Sequence, residues 1–232
     1  MLEELKSEVC AANRELPGSG LVRLTWGNVS GIDRERGIFG IKPSGVDYAK
    51  LEPEHIVLID LEGAVVEGEL NPSSDTKTHL EFYRAWSGIG GVTHTHSPAA
   101  TALAQAGREL PCFGTTHADH FYGTVPVCRA LDPAEVADDY EKNTGLAIVQ
   151  HFAEAGIDPL QVPGVLQHHH APFTWGKNAA KSLDNSIALE MCARMAIDGW
   201  ALDKELAPLP SHLLDKHFLR KHGPGAYYGQ GR

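Results

Sequence analysis

His94 and His96 stand two residues apart in the run Gly90-Gly91-Val92-Thr93-His94-Thr95-His96-Ser97. If this β-branched run is extended, the period-2 alternation of a strand places both imidazoles on one face. Two imidazoles so placed can converge on one cation, with ring nitrogens about 2.0–2.1 Å from a zinc ion. A third imidazole is available in His168-His169-His170, inside a second apolar run, Val165-Leu166-Gln167 before it and Ala171-Pro172-Phe173-Thr174-Trp175 after it. That run also reads as a strand, on which His168 and His170 share a face and either can be the ligand. Three imidazoles leave coordination positions open for substrate, as a catalytic divalent ion requires. Such an ion can polarise a carbonyl, hold an enediolate or activate water, and the ligands alone do not choose among these.

Other residues narrow the chemistry. Asn71-Pro72-Ser73-Ser74-Asp75 precedes a helical pattern, so Asp75 is a helix cap, a fourth ligand or a base. The free N–H groups and positive dipole end of that helix also suit an anion beside Ser73 and Ser74. Lys42-Pro43-Ser44-Gly45 offers a cation, a hydroxyl and a glycine that allows close backbone approach. Alone it reads as a β-turn; Ser73 and Ser74 are the second donor cluster that would make it a phosphate cradle. Residues 107–131 are irregular and rich in polar and aromatic groups, and His117 and Asp119 within them are candidate acid/base groups.

These residues need elements to hold them. Leu2, Leu5, Val9, Ala12 and Leu16 have helical spacing, and Pro17-Gly18-Ser19-Gly20 is expected to stop that helix. Leu21 to Ser30 alternates and reads as a strand ending at Gly27-Asn28, Asp33 to Gly37 is a polar turn, and Ile38 to Ile41 is a second strand. Ile56 to Val66 reads as a hairpin around Glu62-Gly63. Helices are expected over Thr76–Trp86, Pro98–Ala106 and from Asp132-Pro133 to Ala155, the last interrupted at Asn143-Thr144-Gly145. A long helix from Asn178 to Ala201 places Leu183, Ile187, Met191 and Met195 four apart as a core stripe, and Ser211 to His222 is a last helix. The expected fold class is α/β: one domain over residues 1–232, with helices packed on the faces of a largely antiparallel central sheet.

Composition sets outer bounds. The 232 residues, 42% hydrophobic and 22% charged, are ordinary for a soluble globular chain. A formal net charge of −10 argues against nucleic-acid partners. No apolar run has the length of a membrane span, and the start Met1-Leu2-Glu3-Glu4-Leu5 is acidic rather than signal-like. Cys10, Cys112, Cys128 and Cys192 are scattered without a C-x-x-C, which fits a cytoplasmic protein with reduced thiols.

A set of motifs in fixed order goes further. Gly27-Asn28-Val29-Ser30, Lys42-Pro43-Ser44-Gly45-Val46-Asp47, Pro72-Ser73-Ser74-Asp75-Thr76, His94-Thr95-His96-Ser97, Gly114-Thr115-Thr116-His117-Ala118-Asp119 and Ala226-Tyr227-Tyr228-Gly229-Gln230 span nearly the whole chain. Together they resemble the class II aldolase/epimerase family, and within it the enzymes that epimerise L-ribulose 5-phosphate at C4. The resemblance implies a metal-dependent reaction. The C3–C4 bond would break to a metal-held dihydroxyacetone enolate and glycolaldehyde phosphate, and the aldehyde would rotate and re-add to give D-xylulose 5-phosphate. It implies His94, His96 and His170 as ligands of one divalent ion per subunit, Zn2+ by preference, with Asp75 near it. His169 would then point away. Asn28, Lys42, Ser44, Gly45, Ser73 and Ser74 would hold the phosphate. Asp119 and Tyr228 would be the acid/base pair, Tyr228 reaching in from a neighbouring subunit of a homotetramer, while Thr115, Glu141 and His217 line the site. The implied setting is pentose catabolism, of arabinose or of an ascorbate- or xylulose-linked route.

The rival readings are a fuculose- or rhamnulose-phosphate aldolase of the same family, a non-catalytic adducin-head-like module and a metal-dependent hydrolase. The aldolases usually carry Glu where this chain has Asp75, and adducin heads lack the three histidines. A hydrolase would account for the ligands but not for the phosphate loops.

Overall fold

A computed structural model describes residues 2–227. The chain opens with α1 (Leu2–Ser19), then β1 (Gly27–Asp33), β2 (Ile38–Ile41), two short 3-10 turns, and the hairpin of β3 (Val57–Asp60) and β4 (Val65–Glu67). Next come α2 (Thr76–Ala85), β5 (Gly91–Thr95), α3 (Pro98–Gln105), the single turn α4 (Thr115–Ala118) and β6 (Val127–Cys128). The chain continues with α5 (Pro133–Ala155), β7 (Gly164–Gln167), β8 (Pro172–Gly176), α6 (Ala179–Leu202) and α7 (Ser211–His222).

One eight-stranded sheet runs β4-β3-β2-β1-β5-β8-β7-β6, antiparallel except for the β6–β7 pair. Alternation along β1 and β5 sorts residues to the two sides. Val92 joins Phe82, Tyr83, Ile148 and Phe152 of α2 and α5 in one core, while Val29 packs with Leu5 and Val9 of α1 and Leu183 of α6 in another. His94 has the parity of Val92 and therefore faces the α2/α5 side. The strand that carries it tolerates no side chain at its start. A Cβ on Gly91 would run into the backbone of Asn178 where α6 begins. Gly91→Ala is therefore expected to cost about 1–3 kcal/mol by overpacking, read as a lower urea midpoint with unchanged slope.

Several elements differ from the pattern in the sequence. The first strand starts at Gly27, where the alternation predicts its end. Leu21 to Trp26 is irregular, with a turn closed by Trp26 N–H on Arg23 O at 3.0 Å. Leu24 and Trp26, whose alternation mimics a strand, are 76% and 56% exposed, and Leu24 has φ of +53°. The first helix runs through Pro17 to Ser19, since a proline close to the helix end forfeits only one hydrogen bond, and Gly20 at φ +78° ends it.

The break in α5 falls at Asp139, with φ −148° and ψ 85°, not at Asn143–Gly145. Gly145 is instead where α5 crosses α2: an added Cβ would lie 2.8 Å from Glu81 Cβ and 3.0 Å from Thr78 O. On α6 the expected core stripe fails beyond Ile187. Met191 and Met195 are 54% and 47% exposed because a four-residue step drifts round a 3.6-residue helix, and Leu189, Cys192, Ala193 and Ala196 form the buried face. Finally, His168–His170 is a turn between β7 and β8, so strand parity does not govern those histidines. Among the described residues, no helix is long and apolar enough to cross a membrane.

Candidate active site

A cavity of about 530 Å³ opens between the end of β5, the start of α2 and the turn after β7. His94, His96 and His170 line it, with ring centroids 5.0 Å apart in every pair. One nitrogen from each lies within 4.8 Å of the others, and among the described residues this is the group able to hold a metal ion.

Their hydrogen bonds fix which nitrogen is free. His94 Nδ1 lies 3.0 Å from the Pro172 carbonyl oxygen, which only accepts, so Nδ1 carries the proton and Nε2 presents its lone pair. That Nε2 is 3.2 Å from His96 Nε2. His170 turns Nδ1 to the Tyr140 hydroxyl at 2.9 Å, leaving its other nitrogen for the cluster. Phe173 stacks on the His94 ring at 4.2 Å and backs it against the sheet. Burial, and then the neighbouring imidazole charge, push His94 and His170 down to about 3; burial also lowers His96. The rings are thus neutral at physiological pH, the form in which imidazole ligates. Ligand type, tautomer and convergence all fit a divalent ion.

The turn selects His170 for this group. His169, at φ +63°, is exposed, as expected of a residue pointing away, and His168 stacks on it at 3.8 Å. Asp75 opens α2 without capping it: its side chain makes no cap hydrogen bond and accepts instead from Asn28 Nδ2 at 2.6 Å. It lines the same cavity but is not in the mutually close histidine group.

The two donor clusters are joined. Pro43 and Pro72 form an antiparallel bridge, Ser44 N–H donates to Asn71 O at 2.9 Å, and Ser73 N–H donates to Lys42 O at 3.1 Å. Gly45, at φ +68°, is in the left-handed region that favours glycine, and Asn28 Nδ2 also donates to Ser73 Oγ at 3.1 Å. Lys42, Ser44, Gly45, Ser73, Ser74 and Asn28 therefore share one wall of the cavity. Lys42 is 2% exposed, with Nζ on Pro43 O at 3.2 Å and 4.8 Å from the Tyr48 ring centroid. Burial pulls its ammonium down to about 8, and Asp47 offsets only part of that. Among the described residues no carboxylate pairs with it. A buried cation in that position is completed by an anion.

The remaining predicted residues divide. Glu141 lines the cavity beside Tyr140. Thr115, Asp119 and His217 do not: Thr115 opens α4, Asp119 ends it, and His217 is on α7. Asp119 is tied to α7, accepting from His217 Nδ1 at 3.1 Å and from Arg220 Nη2 at 2.8 Å, with Lys221 Nζ 3.3 Å away. Burial raises this carboxyl, but the Arg220 and His217 hydrogen bonds and the Lys221 charge outweigh it and leave it below the usual range. His117, the other loop candidate, is buried with Nε2 on Gly123 O at 2.6 Å and is pushed down to about 4 by burial, a structural contact. Tyr228 lies outside the described residues. Trp26 and Tyr140 also line the cavity and escape the sequence reading. Trp26 is hidden by its false strand pattern, and Tyr140 reaches His170 only because α5 breaks at the residue before it.

The family described as "Class II Aldolase and Adducin N-terminal domain" matches residues 7–197. Proteins named L-ribulose-5-phosphate 4-epimerase UlaF from Salmonella paratyphi B and Salmonella paratyphi A are each 50% identical over 229 residues, covering 99% of this chain and 100% of theirs. Among solved structures, an L-fuculose 1-phosphate aldolase superposes with a TM-score of 0.78 at 26% identity, covering 92% of this chain and 94% of that one. Another, from Thermus thermophilus, has a TM-score of 0.68 at 24% identity, covering 88% of this chain and 99% of that one.

Proposed function

Because the chain belongs to the Class II Aldolase and Adducin N-terminal domain family, we propose that its cavity takes L-ribulose 5-phosphate and that the enzyme inverts C4 to give D-xylulose 5-phosphate. One observation carries this reading: relatives half-identical over nearly the whole chain are epimerases named for that substrate. The joined anion cradle beside three neutral imidazoles supports it.

Lys42, Ser44, Gly45, Ser73, Ser74 and Asn28 hold the phosphate, so the aldehyde fragment stays bound when the C3–C4 bond opens. A divalent ion held by His94, His96 and His170, with Asp75 as the nearby carboxylate, supplies Lewis-acid polarisation of the ketose oxygens. Zn2+ is the assignment, as three imidazoles with an open position are a familiar catalytic zinc set. Asp119 and Tyr228 act on opposite faces of the aldehyde: one takes the C4 hydroxyl proton during cleavage, and the other returns a proton to that oxygen after rotation and re-addition. Thr115, Glu141 and His217 line the site. The separation of Asp119 and His217 from the cavity within one chain supports sites that lie between subunits, and a homotetramer is the assembly proposed. The four buried, unpaired cysteines support a reducing, cytoplasmic setting.

The test is a metal-replete assay with L-ribulose 5-phosphate that measures epimer and free glycolaldehyde phosphate separately. Epimer is the expected main product; free aldehyde in its place makes the protein an aldolase.

Lys42 adds a pH signature. The free enzyme loses the ammonium charge as pH rises through about 8, so kcat/KM, which reports the free enzyme, is expected to fall above that pH. Lys42→Met raises KM and flattens that limb, and an unchanged alkaline limb in this variant would remove Lys42 from phosphate binding.

A further inference from the structure

Behind the cavity, β1 and α2 face each other across two rungs. Asn28 and Ser30 share a face of β1, and Asp75, His79 and Tyr83 follow one another at four-residue steps along one face of α2. In the first rung Asn28 Nδ2 donates to Asp75 Oδ2 at 2.6 Å and to Ser73 Oγ at 3.1 Å, which uses both amide hydrogens. In the second, Ser30 Oγ lies 2.8 Å from His79 Nδ1 and 2.7 Å from the Tyr83 hydroxyl. Among the described residues, two atoms of this ladder are buried without a partner: Asn28 Oδ1 and His79 Nε2.

Counting protons relates the two orphans. Tyr83 is 1% exposed, and among the described residues Ser30 Oγ is the acceptor available to its hydrogen. Tyr83 then donates to Ser30, Ser30 donates its one hydrogen to His79 Nδ1, and the neutral ring carries its proton on Nε2. A buried donor at His79 Nε2 and a buried acceptor at Asn28 Oδ1 are complementary. Either arrangement with the proton on Nδ1 leaves one hydroxyl hydrogen, that of Tyr83 or that of Ser30, without an acceptor among the described residues, and leaves Nε2 bare as well.

We infer that His79 is a positioning residue: its Nε2–H engages Asn28 Oδ1 through one bound water, and so fixes the Asn28 amide with Nδ2 toward Asp75 and Ser73. Without that donor the amide can turn over, presenting oxygen to the Asp75 carboxylate and withdrawing the donor from Ser73. His79 thus acts on the substrate through Asn28 and touches nothing in the cavity itself. The kinetic consequence rests on the reading of this cavity as the reaction site; the protonation pattern does not.

Two measurements test it. In the metal-free protein labelled with 15N-histidine, the His79 signals, assigned by their loss in His79→Gln, are expected to show a proton-bearing Nε2 and a bare Nδ1. In Tyr83→Phe, which removes the first donor, they move toward a mixture of tautomers. A proton on Nδ1 in the unsubstituted protein overturns the inference whatever reaction the enzyme catalyses. In kinetics, His79→Asn keeps an amide near Nδ1 but loses the Nε2 donor, and kcat/KM is expected to fall about 10–100-fold, with KM rising as the hold on the phosphate weakens. His79→Gln keeps an amide near Nε2 and recovers most of that loss. Equal losses in the two variants would mean that His79 only fills space, and would also overturn it.

Discussion

Removing the divalent ion, or replacing His96 with Asn, lowers kcat/KM for L-ribulose 5-phosphate by about a thousandfold or more, since a Lewis acid supplies several kcal/mol and each 1.36 kcal/mol is tenfold. His96 is the informative ligand to change. His94 is buried against Phe173 and bonded to Pro172 O, so its loss damages the fold as well, whereas His96 is exposed at the end of β5. The check is metal content beside activity. Adding metal back restores the chelated parent but not His96→Asn, and full activity in protein shown to be metal-free would refute the assignment. The empty site has its own pH dependence. Burial keeps His94 and His170 neutral down to about 3, whereas unfolded imidazoles take up protons below about 6.5. Unfolding therefore binds protons within that window, and the stability of the metal-free protein falls as pH drops from about 6.5 toward about 3.

Mixing two inactive variants restores activity if the site is shared between chains. Tyr228→Phe and Asp119→Asn should each lose about 10²–10⁴-fold in rate as acid/base substitutions. Asp119 is bonded to Arg220, and Tyr227 N–H donates to Arg220 O at 3.0 Å, so Asp119 and the chain leading to Tyr228 belong to one unit. On the intersubunit reading proposed above, that unit would serve the metal cavity of another chain. Oligomers mixed from Tyr228→Phe and His96→Asn therefore regain activity, because a neighbour's intact tyrosine meets an intact metal site. Mixtures of Tyr228→Phe with Asp119→Asn stay inactive, since each chain then presents one defective member of the pair. No recovery in verified His96→Asn/Tyr228→Phe oligomers would count against an intersubunit site.

Much of the site was legible because its ligands sit on local signals. The His-x-His spacing on β5, the serines ahead of α2 and the Lys42 to Gly45 turn each lie in one short segment, and each segment is where the pattern put it. The helices were legible for the same reason, through apolar spacing. Long-range pairing decided what was not. Nothing local says that Leu24 and Trp26 face solvent, that Gly145 sits at a helix crossing, or that the third histidine is presented by a turn. The role of Asp75 was open for a related reason. Capping is a local option, and only the approach of Asn28 from another strand shows that the carboxylate is used elsewhere. Tyr140 depends on a break in α5 that no breaker residue announces.

The pairing of β1 with β5 sets Asn28 opposite His94 and Val29 opposite Thr93. A slip of one residue would turn His94 of β5 to the far side of the sheet and bring a threonine to the cavity. The histidine strand and the wall that carries Asn28 are thus set by a single alignment, and the pocket is expected to form together with the sheet. Divalent-ion binding, which needs the histidines of one chain only, should consequently act in a denaturant series as a census of intact molecules, vanishing at the same midpoint as the sheet and not before it.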